Sequence, residues 1–249
     1  MSRCDRCDTL LLHSGRQAWK PMRGYNTRLW LRGDRDVVAP GGLVSGVADQ
    51  SGNAQDATQS SGANQPSYSA TALAGKPGVV FDGTSKWLEI ADSVTLRPSV
   101  WTLVIVCSRS AYVGYANVVS KVTNATWNDG FAVGNGNGTA TDEVRGWSNA
   151  YASTFVSTTT GLNTARILTM RFDGTNLKLW KNGTAIGSIG ASFTASTNKL
   201  YIGAGSNTGG VAGYFWSGAV GEVILLGEAP NDTDVDALNA GVNRYWGLY

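Results

Sequence analysis

The chain has 249 residues, 42% of them apolar, 10% aromatic and 15% charged, with a net charge of +2. That length and apolar share support one large domain with its own core. The 32 glycines show no three-residue period, which excludes a collagen-like chain, and nine tryptophans exclude a disordered low-complexity one. Abundant Gly, Ser, Thr and Asn with so little charge point to many short strands joined by tight turns, an all-β fold.

Residues 1–28 read as an irregular N-terminal arm, with no sustained hydrophobic period and a turn-rich stretch from Lys20 to Asn26. Trp19, Met22 and Tyr25 give the arm apolar anchors for docking on its own domain or on a partner. Residues 1–35 carry eight Lys or Arg against three Asp, so the arm is basic on a mildly acidic body. No dense Lys/Arg run is present, which disfavours nucleic acid as a partner. The opening residues are polar and Leu10-Leu11-Leu12 is too short for a signal-peptide apolar segment, so folding in a cytoplasm is expected. No stretch is long and apolar enough to span a bilayer.

The globular part, residues 29–249, starts with a strand at Leu29-Trp30-Leu31. Val79-Val80-Phe81 and Trp87 to Ile90 flank Asp82-Gly83, whose residues suit a tight turn, and the pattern predicts a hairpin there. Trp101 to Ser108 is a long apolar, β-branched run expected to be covered on both faces, with Cys107 as a buried thiol. Short strands follow at 117–121, 130–133 and 143–148. Residues 166–189, divided by Asp173-Gly174 and Asn182-Gly183, alternate as a three-stranded meander. Closing strands at 199–203 and 215–226 lead to a helix capped by Asn231 or Thr233, with Val235, Leu238, Val242 and Tyr245 or Trp246 at helical spacing.

Several pieces in order carry a resemblance: Asp49-Gln50-Ser51-Gly52-Asn53, Asn64-Gln65-Pro66, Gly75-Lys76-Pro77 before Phe81-Asp82-Gly83, and Phe172-Asp173-Gly174 before Trp180-Lys181-Asn182-Gly183. Over residues 29–249 the chain resembles the laminin-G-like, or concanavalin A-like, jelly-roll domains. That resemblance implies an antiparallel β-sandwich with a short C-terminal helix, of the type found in bacteriophage and bacterial surface proteins. It also implies Ca2+ held by loop oxygens, for which Asp49, Asn53, Asp129 and Asn135 are the candidates, although Asx residues beside Gly are standard turn formers and that role is favoured over Ca2+.

The fold invites glycoside hydrolysis, which needs two carboxyls facing one sugar bond. The Glu-x-Asp-x-x-Glu pattern of laminarinase-type relatives is absent, and the four Glu, at 89, 143, 222 and 228, have no carboxylate two residues away. The single His13 lies in the arm, which disfavours a Ser-His-Asp triad. Cys4, Cys7 and His13 would supply three zinc ligands where a structural site takes four, so unpaired or bridged thiols are favoured over Zn2+. Sugar binding calls for aromatic faces with neighbouring amides and carboxylates. Trp127, Asn128 and Asp129 in one loop, Trp147, Asn149 and Tyr151 in another, and Tyr112 and Tyr115 in a third offer that chemistry, with packing as the competing role. Trp30, Trp87, Trp101, Trp180 and Trp216 fall in strand patterns and are assigned to the core.

The expectation is a non-catalytic bacteriophage virion protein, a capsid decoration or a tail or fibre component. It would be assembled in the host cytoplasm, attached to other virion proteins through its arm and displaying a glycan-binding sandwich. A carbohydrate-active enzyme and a purely structural cement protein are the alternatives, and homo-oligomerisation is left open.

Overall fold

The structure, a computed structural model, describes residues 24–135, 142–149 and 154–249. Two antiparallel sheets pack face to face. In the first, Thr184–Gly190, Asn176–Lys181, Arg166–Phe172, Trp101–Arg109 and Ser217–Leu226 lie side by side. Ser217–Leu226 then pairs with Lys76–Asp82 along its first half and with Thr27–Arg32 along its second, and Ser67–Leu73 closes that edge. The second sheet runs Phe155–Thr159, Glu143–Ser148, Phe131–Gly134, Asn117–Lys121, Leu200–Ile202, Leu88–Ile90, Ala57–Thr58, Gly46–Val47, Val37–Val38. With the helix Asp232–Trp246 at the C-terminus, this is the all-β jelly-roll sandwich expected from the sequence.

Period-two alternation builds the core. Leu103, Ile105 and Cys107 of one sheet, with Leu168 and Met170 beside them, meet Val119, Phe131, Val133 and Ile202 of the other. Every residue of Trp101–Arg109 is buried, because the helix covers the sheet's other face. Burial pushes the Cys107 thiol up to about 11, so it is inert. The meander over 166–190 forms as expected, and Asn231 caps the helix by accepting from Asp234 N at 3.0 Å.

One expectation is corrected. Lys76–Asp82 and Leu88–Ile90 are not a hairpin; they belong to different sheets. The Asp82 carboxylate accepts from the backbone N–H of Thr84, Ser85 and Lys86 at 2.9, 2.9 and 3.1 Å and from both hydroxyls of Thr84 and Ser85. Burial opposes its ionisation, yet these donors together hold the carboxyl well below the ordinary range. The resulting corner is wider than a two-residue turn and carries the chain from one sheet to the other. Phe81 before it and Leu88 after it both enter the core. Lys76–Asp82 instead pairs with Ser67–Leu73, through a turn at Ala74-Gly75 with φ of 50° and 77°.

The helix is fastened to the first sheet by a buried carboxylate. Ser217–Leu226 has a bulge at Gly221, so Val220 and Val223 both face the core while Glu222 and Ile224 face the helix. Trp246 lies directly over the bulge, where a Cβ on Gly221 would come within 2.3 Å of its ring. Glu222 accepts from Trp30 Nε1 at 2.6 Å and from Trp246 Nε1 at 2.7 Å. Across the strand pair stands Arg32, bidentate to Asp34 at 2.8 and 2.7 Å and 4.3 Å from the Tyr245 ring.

Burial raises the Glu222 carboxyl above its ordinary value, against the pull of the two indoles and Arg32. Folding therefore favours its protonated form, and its contribution is greatest below the ordinary value of 4.5 and is lost as pH rises through the folded-state value. Glu222→Gln cannot ionise, so urea unfolding from about pH 4 to about pH 8 should show the wild type losing stability relative to the variant as pH rises. A difference that stays constant with pH would contradict a raised Glu222.

Candidate functional site

With the helix on the first sheet, the outward face of the second sheet is where loops gather. Register aligns Ser120, Ala132, Trp147 and Phe155 in one row across four strands, all pointing away from the core. The next rows hold Gly134, Arg145 and Ser157, then Glu143 and Thr159. The loop from Thr123 to Asp129 folds back over this face, because Asp129 accepts from Thr123 N at 2.8 Å and from its hydroxyl, and Asn124 accepts from Thr126 N at 2.9 Å.

Its Trp127 lands on the row, with its ring 5.5 Å from Trp147 and its Nε1 donating to Ser206 O at 3.2 Å. Tyr214 and Tyr115 approach Trp127 edge-on at 5.1 and 5.7 Å and each other at 5.9 Å. Tyr115, Trp127 and Tyr214 have φ of 58°, 47° and 51°, in the left-handed region. Each such residue costs about 1–2 kcal/mol. All three meet in this one cluster, so tertiary packing holds them there. At the margin, Arg145 stacks on Phe155 with its Cζ 4.0 Å from the ring and pairs with Glu143 at 3.0 Å.

The structure sorts the residues singled out in the sequence. Trp127 and Trp147 are 2% and 0% exposed, so they form the packed floor of the cluster and offer no open stacking face. The rings at its rim are Tyr115, Tyr214 and Phe155, all half-buried. Asn128 is exposed beside Trp127, and Asp129 holds the loop. Asn149 is turned to the sandwich end, accepting from Thr194 N at 2.9 Å and donating to Ser192 Oγ at 3.2 Å. Tyr112 lies apart, over Arg109 at 5.5 Å. Tyr151 lies outside the described residues, as do Cys4, Cys7, His13, Trp19 and Met22. Tyr25, the described anchor of the arm, rests on its own domain and donates to Asp234 O at 3.3 Å.

The candidate calcium ligands are engaged in turns. The Asp49 carboxylate accepts from Trp30 N, Ser51 N, Ser51 Oγ and Gln55 N, and Asn53 Nδ2 donates to Thr27 O and Arg28 O. Asn135 is buried and donates to Val113 O at 3.1 Å. Among the described residues no three His, Cys, Asp or Glu side chains converge on a metal-sized site. Sequence reasoning missed Tyr214, Phe155 and Arg145. The run Tyr214-Phe215-Trp216 was a usable signal for the first; the Thr- and Ser-rich strand holding Phe155 offered little.

No protein-family model and no curated protein matches this sequence. Solved structures do. Domain 4 of AbnA, a GH43 extracellular arabinanase from Geobacillus stearothermophilus solved in complex with arabinotriose, superposes with a TM-score of 0.62 at 12% identity, covering 86% of this chain and 98% of that one. The binding domain of Paraclostridial Mosquitocidal Protein 1 gives 0.61 at 13% identity over 88% of this chain and 52% of that one. A botulinum neurotoxin type C structure, described as entering cells through interaction with two ganglioside molecules, gives 0.60 at 11% over 87% and 51%. These likenesses establish the fold. The chain spans about half the length of the two toxin chains.

Floor and rim should separate in stability. Trp147→Ala empties a fully buried site and should cost about 3–5 kcal/mol in denaturant unfolding, whereas Tyr214→Ala at the rim should cost about 1 kcal/mol. Equal losses would show that the cluster has no such division.

Proposed function

We propose that this protein is a non-catalytic glycan-binding module, and that it reads sugar with the aromatic rim on the outward face of its second sheet. The observation that carries the reading is the cluster of Tyr115, Trp127 and Tyr214, three bulky aromatics in left-handed backbone on one face. Strained positions that packing alone must stabilise concentrate at functional sites. Half-buried rings lie along the edge of the face, where the C–H side of a pyranose stacks. The exposed Asn128 amide and the Glu143–Arg145 pair are suited to bonding its hydroxyls. The shared fold adds support, since the names of its structural neighbours mention arabinotriose and gangliosides.

Hydrolysis is disfavoured by the carboxylates themselves. A glycosidase acid is a carboxyl held protonated against the scissile bond. Glu222, which burial does push up, is 1% exposed beneath the helix. Glu143 faces Arg145 at 3.0 Å and Glu89 faces Lys199 at 2.7 Å. The bacteriophage-virion setting, with residues 1–28 as the attachment arm, is proposed on the sequence alone.

Binding to an array of bacterial and host-surface oligosaccharides tests the reading. The wild type should bind at least one class, Tyr214→Ala should weaken it about tenfold or more while remaining folded, and no reducing sugar should be released. An array without any bound glycan would remove the proposal, and sugar release would favour the enzyme.

A further inference from the structure

A second cluster, at one end of the sandwich, carries buried positive charge. Arg109 ends the strand Trp101–Arg109, and Arg166 begins its neighbour in register with Cys107. Alternation places Arg109 on the face of Leu103, Ile105 and Cys107, and Arg166 on the face of Leu168 and Met170, so both guanidinium groups enter the space between the sheets. They are 1% and 2% exposed.

Arg109 donates to Glu143 O at 3.1 Å and lies 4.8 Å from the Trp216 ring. Burial lowers Arg109 to about 10, and the charge of Arg166 acts in the same direction. Arg166 Nη2 donates to Gly161 O at 3.3 Å and Thr164 O at 2.5 Å, closing the turn between them. Its Nη1 is buried and has no hydrogen-bond partner, and no carboxylate forms an ion pair with Arg166 among the described residues. A buried cation with an unmet N–H is costly unless an acceptor meets it, and an anionic acceptor also balances the charge. Above it the turn reaches the surface, with Leu162 37% exposed and Asn163 exposed.

We propose that this end of the sandwich is a carboxylate-binding site, in which Arg166 Nη1 holds the anion beneath the 161–164 turn. A carboxylate is the fitting class because one of its oxygens accepts from Nη1 in a charge-assisted bond while its single negative charge balances the buried guanidinium. The carboxylate comes from the uronate of an acidic glycan or from a small free acid. The site is independent of the aromatic face and stands or falls apart from it.

Thermal unfolding of the full chain in sodium glucuronate, acetate, chloride and glucose, with ionic strength matched by chloride, tests this. A ligand bound only by the folded state raises Tm along a saturating curve, whereas a general salt effect rises without saturating. The wild type should show a saturating rise of several degrees with glucuronate. Acetate acting equally identifies the carboxylate alone as the ligand; glucuronate acting alone identifies the acidic sugar. Arg166→Met should abolish the saturating part. Arg166→Lys, which keeps the charge and loses the Nη1 donor, should need about tenfold more ligand and serves if the methionine variant does not fold. No saturating rise in the wild type with either carboxylate, or an unchanged midpoint in Arg166→Lys, overturns the proposal.

Discussion

The bulge at Gly221 and the carboxylate that follows it are the constraint on which the rest of the molecule depends. One strand, Ser217–Leu226, must serve Lys76–Asp82 with its first half and Thr27–Arg32 with its second, and the exchange of partners takes place at the bulge. Without the extra residue the alternation would invert, sending Val223 and Leu225 away from the core and Glu222 into it. With it, Glu222 sits where Trp30 from the first strand and Trp246 from the last helix can both donate to it. A buried carboxylate carries a desolvation penalty, and here two indole donors and the cross-strand Arg32 offset only part of it while joining segments from both ends of the described chain.

That closure decides which surface is left for recognition. Leu238, Val242 and Trp246 of the helix cover Val104, Val106, Ile167 and Ile224, so the outward face of the first sheet is used up in stability. Among the described residues no such helix lies on the second sheet. Loops and the short strand pair Gly205–Ser206 and Ala212–Gly213 lie over its outward face, and the aromatic cluster of Tyr115, Trp127, Trp147 and Tyr214 forms where they meet. The sandwich thus divides its two outer surfaces between holding the fold and presenting side chains, the division on which the proposed glycan-binding role rests.

Much of this was legible in the sequence because it is local. The Trp101–Arg109 run, the alternating meander after Arg166 and the Asn231 cap each follow from residues a few positions apart. The crossing after Phe81 was not, because Asp82-Gly83 reads as a two-residue turn, while the actual corner depends on five donors converging on one carboxylate. The strands Phe155–Thr159 and Ala57–Thr58 escaped notice, one Thr- and Ser-rich and the other two residues long. At the candidate site, aromatic content pointed to Trp127 and Trp147, but their burial rests on left-handed backbone at Tyr115, Trp127 and Tyr214. Bulky residues give no warning of that conformation, as Asn149 and Asn182 do.

The central claim is that sugar is held at the aromatic rim of the second sheet and left intact. Following the amide and indole resonances of isotope-labelled protein during titration with an oligosaccharide that it binds tests both halves at once. The account predicts shifts centred on the Trp127 indole N–H and the amides of Tyr115, Asn128 and Tyr214, with the sugar's anomeric signals unchanged. Shifts centred on the helix Asp232–Trp246, or anomeric signals that decay as the bond is cleaved, would contradict it.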